Sequence, residues 1–510
     1  MSKRVRTMLI SLVLLAAVGL CAAVVLLLPD NTPTPDETQT TTTTAAPDIV
    51  IVDKRTDENG KTAAAPVTGL TVENAQGSFD VVHREDGSMA VESYSDLQTD
   101  TVAIAAMCDD VAYLTAAAKP TAQEDEAAYG FDKPTATVTA HYYDGTSAVI
   151  VFGAESKGTE GYYCRVDGDD TLYIVDTATV EQFLVDGKAL IGKTLIVPPT
   201  KKEDDKSGAP SMLNMWLTGS LRSQPVEIVT DTEGAYPSLT YVSTYIMKSP
   251  YLRAVDSDNF YTVAQTMTSL VAAGVECVRP STKQLAEYGL DDPYSVAAFT
   301  LAVTEAAAKD GGGTTVSHYN DREHMVLLGD KNDDGEYYAL VDGADIVYRL
   351  SADSVPWAEL TAYDVMSKLL FMKDITTIDE IAVTDEGVTT AFALTHKPDA
   401  PTRNEQMIVT AGDKTYDTAQ FRILYQLLLS IRRVGEKEAD ATADEPVMKL
   451  KVTFNDGEKP LDIAFYPMTA SRYLCVFGDG EQSAVSISAA EAFLKQYRHY
   501  LNGVEVTSPY

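Results

Sequence analysis

The sequence predicts an α+β protein: an N-terminal transmembrane helix followed by three repeats of helix, antiparallel β-meander and helix. Three observations predict it. An uncharged apolar run opens the chain, a turn-and-strand motif occurs twice, and amphipathic helical stretches are each followed by alternating runs broken by Asp-Gly. Helices and meanders that segregate along a chain argue for α+β over a doubly wound parallel sheet.

The first element is Met8 to Leu28, 21 residues without a charge. At about 1.5 Å per residue it matches a hydrocarbon core of about 30 Å. Lys3, Arg4 and Arg6 precede it, and Asp30, Asp36 and Glu37 follow, so the positive-inside bias puts the N-terminus in the cytoplasm and the bulk of the chain outside. A cleaved signal peptide usually has a shorter apolar region, and no small-x-small site follows Leu28. A lipoprotein would need a small residue before Cys21, where Leu20 stands. From Pro29 the sequence turns to Thr, Pro and Asp, which bury nothing and read as a tether.

The repeats come next. Tyr129-Gly130-Phe131-Asp132-Lys133-Pro134 returns as Tyr288-Gly289-Leu290-Asp291-Asp292-Pro293, and the strand around Tyr162-Tyr163 returns without a gap at Tyr337-Tyr338. A worn third copy keeps Asp444-Glu445-Pro446 and the alternating run Met448 to Phe454. Helical grids precede the strands at Ile104, Met107, Cys108 and Val111, at Val263, Met267, Leu270 and Val271, and at Phe421, Leu424, Tyr425 and Leu428. Asp100, Asp258 and Asp417 are placed to cap them. Asp176, Ser351 and Ser488 announce a second helix in each copy, with Ser488 and Glu491 spaced as a capping box. Asp144-Gly145, Asp167-Gly168 and Asp456-Gly457 mark hairpins. The expected divisions are 1–28, 29–65, 66–200, 201–375 and 376–510, with the polar stretch Pro198 to Pro210 as a linker.

The anchor, the Y-G-x-D-x-P turn and the G-Y-Y and V-D-G strands resemble DUF4340, a family of bacterial surface proteins. The resemblance implies an accessory, non-catalytic role beside ABC-type or gliding-type transport components. It supplies no catalytic residues.

The 75 acidic against 40 basic side chains give a net charge of −35, which repels nucleic acid and anionic lipid. The five cysteines, Cys21, Cys108, Cys164, Cys277 and Cys475, form no C-x-x-C pair and read as unpaired small hydrophobes. No G-x-S-x-G elbow, H-E-x-x-H helix or Walker loop occurs, and the histidines His83, His141, His318, His324, His396 and His499 are scattered. Gly311-Gly312-Gly313 reads as a loop.

One metal motif needs weighing. Asp330, Asn332 and Asp334 alternate as calcium ligands do, but position twelve is Val341 and a strand follows where an EF-hand has a helix. An Asp/Asn/Gly hairpin tip is the favoured reading. Each Tyr-Tyr pair should send one ring to the core and leave one free. The turn residues Tyr129, Gly130, Asp132, Pro134, Tyr288, Gly289, Asp291 and Pro293 read as structural, with glycine supplying a positive φ. The function expected is therefore that of a membrane-anchored extracytoplasmic binding or accessory protein with a protein partner in the envelope. It needs no cofactor and binds no nucleic acid. The alternative is an envelope hydrolase whose carboxylates converge only on folding.

Overall fold

The computed structural model describes residues 49–507 apart from 57–64, 121–125, 204–207, 232–233, 237–238, 240–242 and 309–313. The expected span Met8–Leu28 lies outside the described residues. Among those, no helix is long and apolar enough to cross a membrane.

The fold is mostly β, which corrects the α+β expectation. Its main body is three antiparallel sheets of seven, nine and nine strands. From edge to edge the N-terminal sheet runs Met89–Val91, Gly77–His83, Val67–Asn74, Ala136–Tyr142, Ser147–Glu155, Tyr162–Val166 and Asp169–Val175. The middle sheet runs Arg253–Ala254, Tyr245–Ser249, Val226–Thr230, Ala209–Thr218, Ser295–Ala308, Thr314–Lys331, Tyr337–Val341, Ile346–Leu350 and Gly274–Val278. The C-terminal sheet runs Lys414–Tyr416, Met407–Ala411, Val388–His396, Ile378–Asp385, Met448–Phe454, Leu461–Pro467, Arg472–Phe477, Gln482–Ser486 and Arg433–Glu436.

The helix, meander, helix unit is not what forms. Each sheet joins two meanders, one before and one after the main helix, and their first strands pair with each other: Val67–Asn74 with Ala136–Tyr142, Ala209–Thr218 with Ser295–Ala308, Ile378–Asp385 with Met448–Phe454. The reason is the edge. A lone meander would leave its first strand with unpaired N–H and C=O groups, and the earlier meander covers them. Ile49–Asp53, in the stretch expected as a tether, is itself a strand on Tyr113–Ala116.

Local signals fared unevenly. Asp100 caps helix Thr101–Ala112 by accepting from Ala103 N at 3.1 Å, and Asp417 caps Thr418–Leu429 through Gln420 N at 2.8 Å. Helix Ser257–Thr266 instead starts after Asp256, so Asp258 falls inside it, and Leu270–Val271 is a strand. The last helix, Ile487–Leu501, starts after Ser486. Its expected capping box is not made, because Ser488 bonds Ser486 and Glu491 accepts the Tyr473 hydroxyl at 2.7 Å. Capping boxes form at Ser281 with Gln284 and Thr361 with Asp364.

Each sheet buries its own apolar core. Between the N-terminal and middle cores the connection is backbone and packing: Thr194–Ile196 pairs with Leu270–Val271, and Ile191 and Ile196 enter the middle core. The ion pair there, Arg279 to Asp96 at 2.7 Å, is exposed. Between the middle and C-terminal sheets the connection is charged and buried. Glu481, with no exposed surface, accepts from Arg253 Nε at 2.5 Å and from Arg433 at 2.6 and 2.8 Å. The Phe477 ring lies 4.7 and 4.8 Å from the two guanidiniums. Arg433 also donates to the carbonyls of Ser367 and Leu369 in the connecting segment.

Candidate interaction face

The duplicated turn is built as a brace. Gly130 and Gly289 have φ of +74° and +66°, and a Cβ at Gly289 would lie 2.8 Å from the Asp330 carboxyl carbon. The Tyr288 carbonyl accepts Asp330 N at 2.9 Å and presses on Gly329, as the Tyr129 carbonyl presses on Gly153. Those facing glycines were missed, although Phe152-Gly153 and Leu328-Gly329 also repeat in the sequence. Asp132 and Asp291 are exposed, and the Pro293 carbonyl accepts Ser220 N.

The free tyrosine of each pair is covered. Tyr162 and Tyr337 pack in or against the main cores, whereas Tyr163 meets Tyr129 edge-on at 4.9 Å and Tyr338 meets Tyr288 at 4.5 Å. The turn thus occupies the ring that a ligand would have needed.

At the calcium-like loop, Asn332 Oδ1 accepts Asp334 N and Glu336 N at 3.0 and 2.9 Å, which holds a hairpin tip, and Asp330 and Asp334 are exposed. Among the described residues no three His, Cys, Asp or Glu side chains stand together as a metal site would require. His324 pairs with Asp342 at 2.7 Å beneath Phe299, His318 faces Asp321, and His396 bonds the Ile378 carbonyl. Burial pushes the thiols of Cys108 and Cys164 up to about 12 and raises Cys475 as well. Burial and the adjacent Asp109 charge also raise the Asp110 carboxyl, which accepts a hydrogen bond from Gln182.

What separates one surface from the rest is the outward face of the middle sheet. Met215, Leu217, Ala297, Phe299, Val326 and Leu328 point into the core, so by alternation Trp216, Ala298 and Met325 point out. These three are direct cross-strand partners in one row, and Trp216 and Met325 are 42% and 44% exposed. The next row is Thr218, Val296, Leu327 and Leu340. Equivalent rows on the other sheets read Thr71, Thr139 and Val149, and Ala382, Lys451 and Asp462. The sequence hid this face, because a bulge between Met212 and Asn214 breaks the alternation of the strand that carries Trp216.

The description of the domain of unknown function DUF4340 matches residues 90–204 and 247–448, more than half of the chain. The chain belongs to the DUF4340 family. Both copies of the braced turn and the strands of Ala298 and Met325 lie in DUF4340-matched segments, whereas Trp216 stands between them. No curated protein and no solved structure matches the chain.

Proposed function

We propose that this DUF4340 protein is a membrane-anchored, extracytoplasmic binding protein that serves transport-type envelope machinery through the outward face of its middle sheet. One observation carries the reading: of three sheets with the same central strand pairing, the middle one alone turns a tryptophan and a methionine outward in one row, Trp216 and Met325, where the equivalent rows hold Thr71, Thr139 and Val149, and Ala382, Lys451 and Asp462. An exposed aromatic beside a flexible thioether is the composition of interface anchors. The apolar run Met8–Leu28 with its flanking charges supports the anchor and its orientation. The DUF4340 resemblance supplies the class of partner.

The test is a photoreactive residue at Met325, with another at Thr384 on the C-terminal sheet as control, in intact cells. A discrete adduct with a transport component from position 325 alone is expected. Equal labelling from both positions, or none from either, overturns the reading. Protease added outside the cells should remove the region beyond the apolar run and leave a small membrane-held fragment. Full-length protein in the soluble fraction overturns the anchor.

A further inference from the structure

We propose that the occupant of this face is a basic amphipathic helix of a partner protein, laid across the strands with one apolar side chain seated over Ala298 between Trp216 and Met325. This rests on the binding reading above and names its partner. The row is dished: a methyl group lies between an indole and a thioether chain on neighbouring strands. Two strand spacings of about 4.8 Å separate the walls. The i and i+7 positions of a helix are about 10.5 Å apart, so a helix along the row meets both walls and drops its i+3 or i+4 residue between them.

Charge decides which helix. Glu323 lies two residues before Met325 on the same face, exposed and without an ion pair among the described residues. Glu227 is the cross-strand partner of Trp216 on the other side and pairs with the surface Lys248 at 3.0 Å. An acidic helix would set its carboxylates against Glu323 and Glu227, and an uncharged one would cover Glu323 without compensation, whereas lysines or arginines flanking the apolar seat meet Glu323 and add to Lys248 at Glu227. A second copy of this chain would set −35 against −35, and an anionic bilayer is repelled alike.

Acrylamide quenching of tryptophan emission reads the site directly, because of the two tryptophans Trp357 is only 2% exposed. The full chain is titrated with a Leu/Lys amphipathic helical peptide, with a Leu/Glu peptide of the same apolar face, and with phosphatidylglycerol vesicles. The Leu/Lys peptide should shield Trp216 and bind about tenfold tighter than Leu/Glu, the gap closing as salt rises. Ala298→Phe, which fills the dish, should abolish shielding without changing the melt, and Glu323→Lys should weaken binding several-fold. Equal shielding by both peptides overturns the basic partner and leaves the docking face standing. Shielding by neither, or shielding indifferent to Ala298→Phe, overturns the face itself. Stronger shielding by the vesicles overturns the protein partner in favour of a membrane.

Discussion

The two joints of the molecule solve one problem in different ways. The N-terminal and middle units share backbone pairing and apolar packing, with Arg279 and Asp96 exposed at the rim. The middle and C-terminal units share a buried carboxylate held by two guanidiniums. The first joint is held by a short antiparallel pairing, which sets register, and by apolar contacts, which are non-directional. The second fixes one geometry, because the buried Glu481 carboxylate accepts from Arg253, Arg433 and Ser483 together. Buried ion pairs are poor sources of net stability but are expensive to break from one side.

The largest effect should therefore come from Glu481→Ala, which leaves the buried Arg433 without its carboxylate and Arg253 with Asp479 alone. A loss of about 3–5 kcal/mol is expected in a denaturant melt, with the C-terminal unit unfolding separately from the middle one. A loss below about 1 kcal/mol, with one unchanged transition, would erase the distinction between the joints. Acid sharpens the test. Burial acts to raise the Glu481 carboxyl, but the Arg433 bonds and both guanidinium charges outweigh it and hold it below the usual range. A depressed folded pKa gives stability that is full above the unfolded value of about 4.3 and is lost as pH falls through the folded one. The wild-type advantage over Glu481→Gln should follow that course; an advantage constant down to pH 3 contradicts it.

A site away from both joints gives the scale for a purely local fault. Gly289→Val forces a branched residue to a φ of +66° against Asp330 and should cost about 1–3 kcal/mol, with Trp216 quenching unchanged. An unchanged melt with altered quenching would make the brace part of the binding face. The smallest effect belongs to the open joint: Arg279→Ala should leave the melting temperature unmoved, since exposed pairs contribute little. A drop comparable to that of Glu481→Ala would show that exposure is not what separates the joints.

What the sequence made legible was local. Asp100 and Asp417 lie three residues before the amides they cap, and the Asp-Gly turns and the positive φ of Gly130 and Gly289 are properties of adjacent residues. Two helix starts lie two residues earlier than the sequence suggests, with Asp256 and Ser486 at the N-cap positions in place of Asp258 and Ser488, because a helix start depends on where the preceding strand ends. The fold class failed for a longer-range reason. The pairing of Val67–Asn74 with Ala136–Tyr142 spans a helix and several strands, and no periodicity within either strand announces it. The Trp216 face was invisible for the same reason, since its row is assembled from three strands of which the first is bulged.

The placement of sulfur governs how the chain meets an oxidant. Thiolates, not thiols, are the reactive form, and burial pushes Cys108 and Cys164 up to about 12, so both stay protonated at neutral pH. Cys108 and Cys164 are thus held as thiols, and Cys475, with no exposed surface, is raised by burial in the same direction. A cysteine introduced at Thr384 or Met325 would react with a maleimide far faster than any of these three. Surface labelling can then proceed with those native sulfurs left in place.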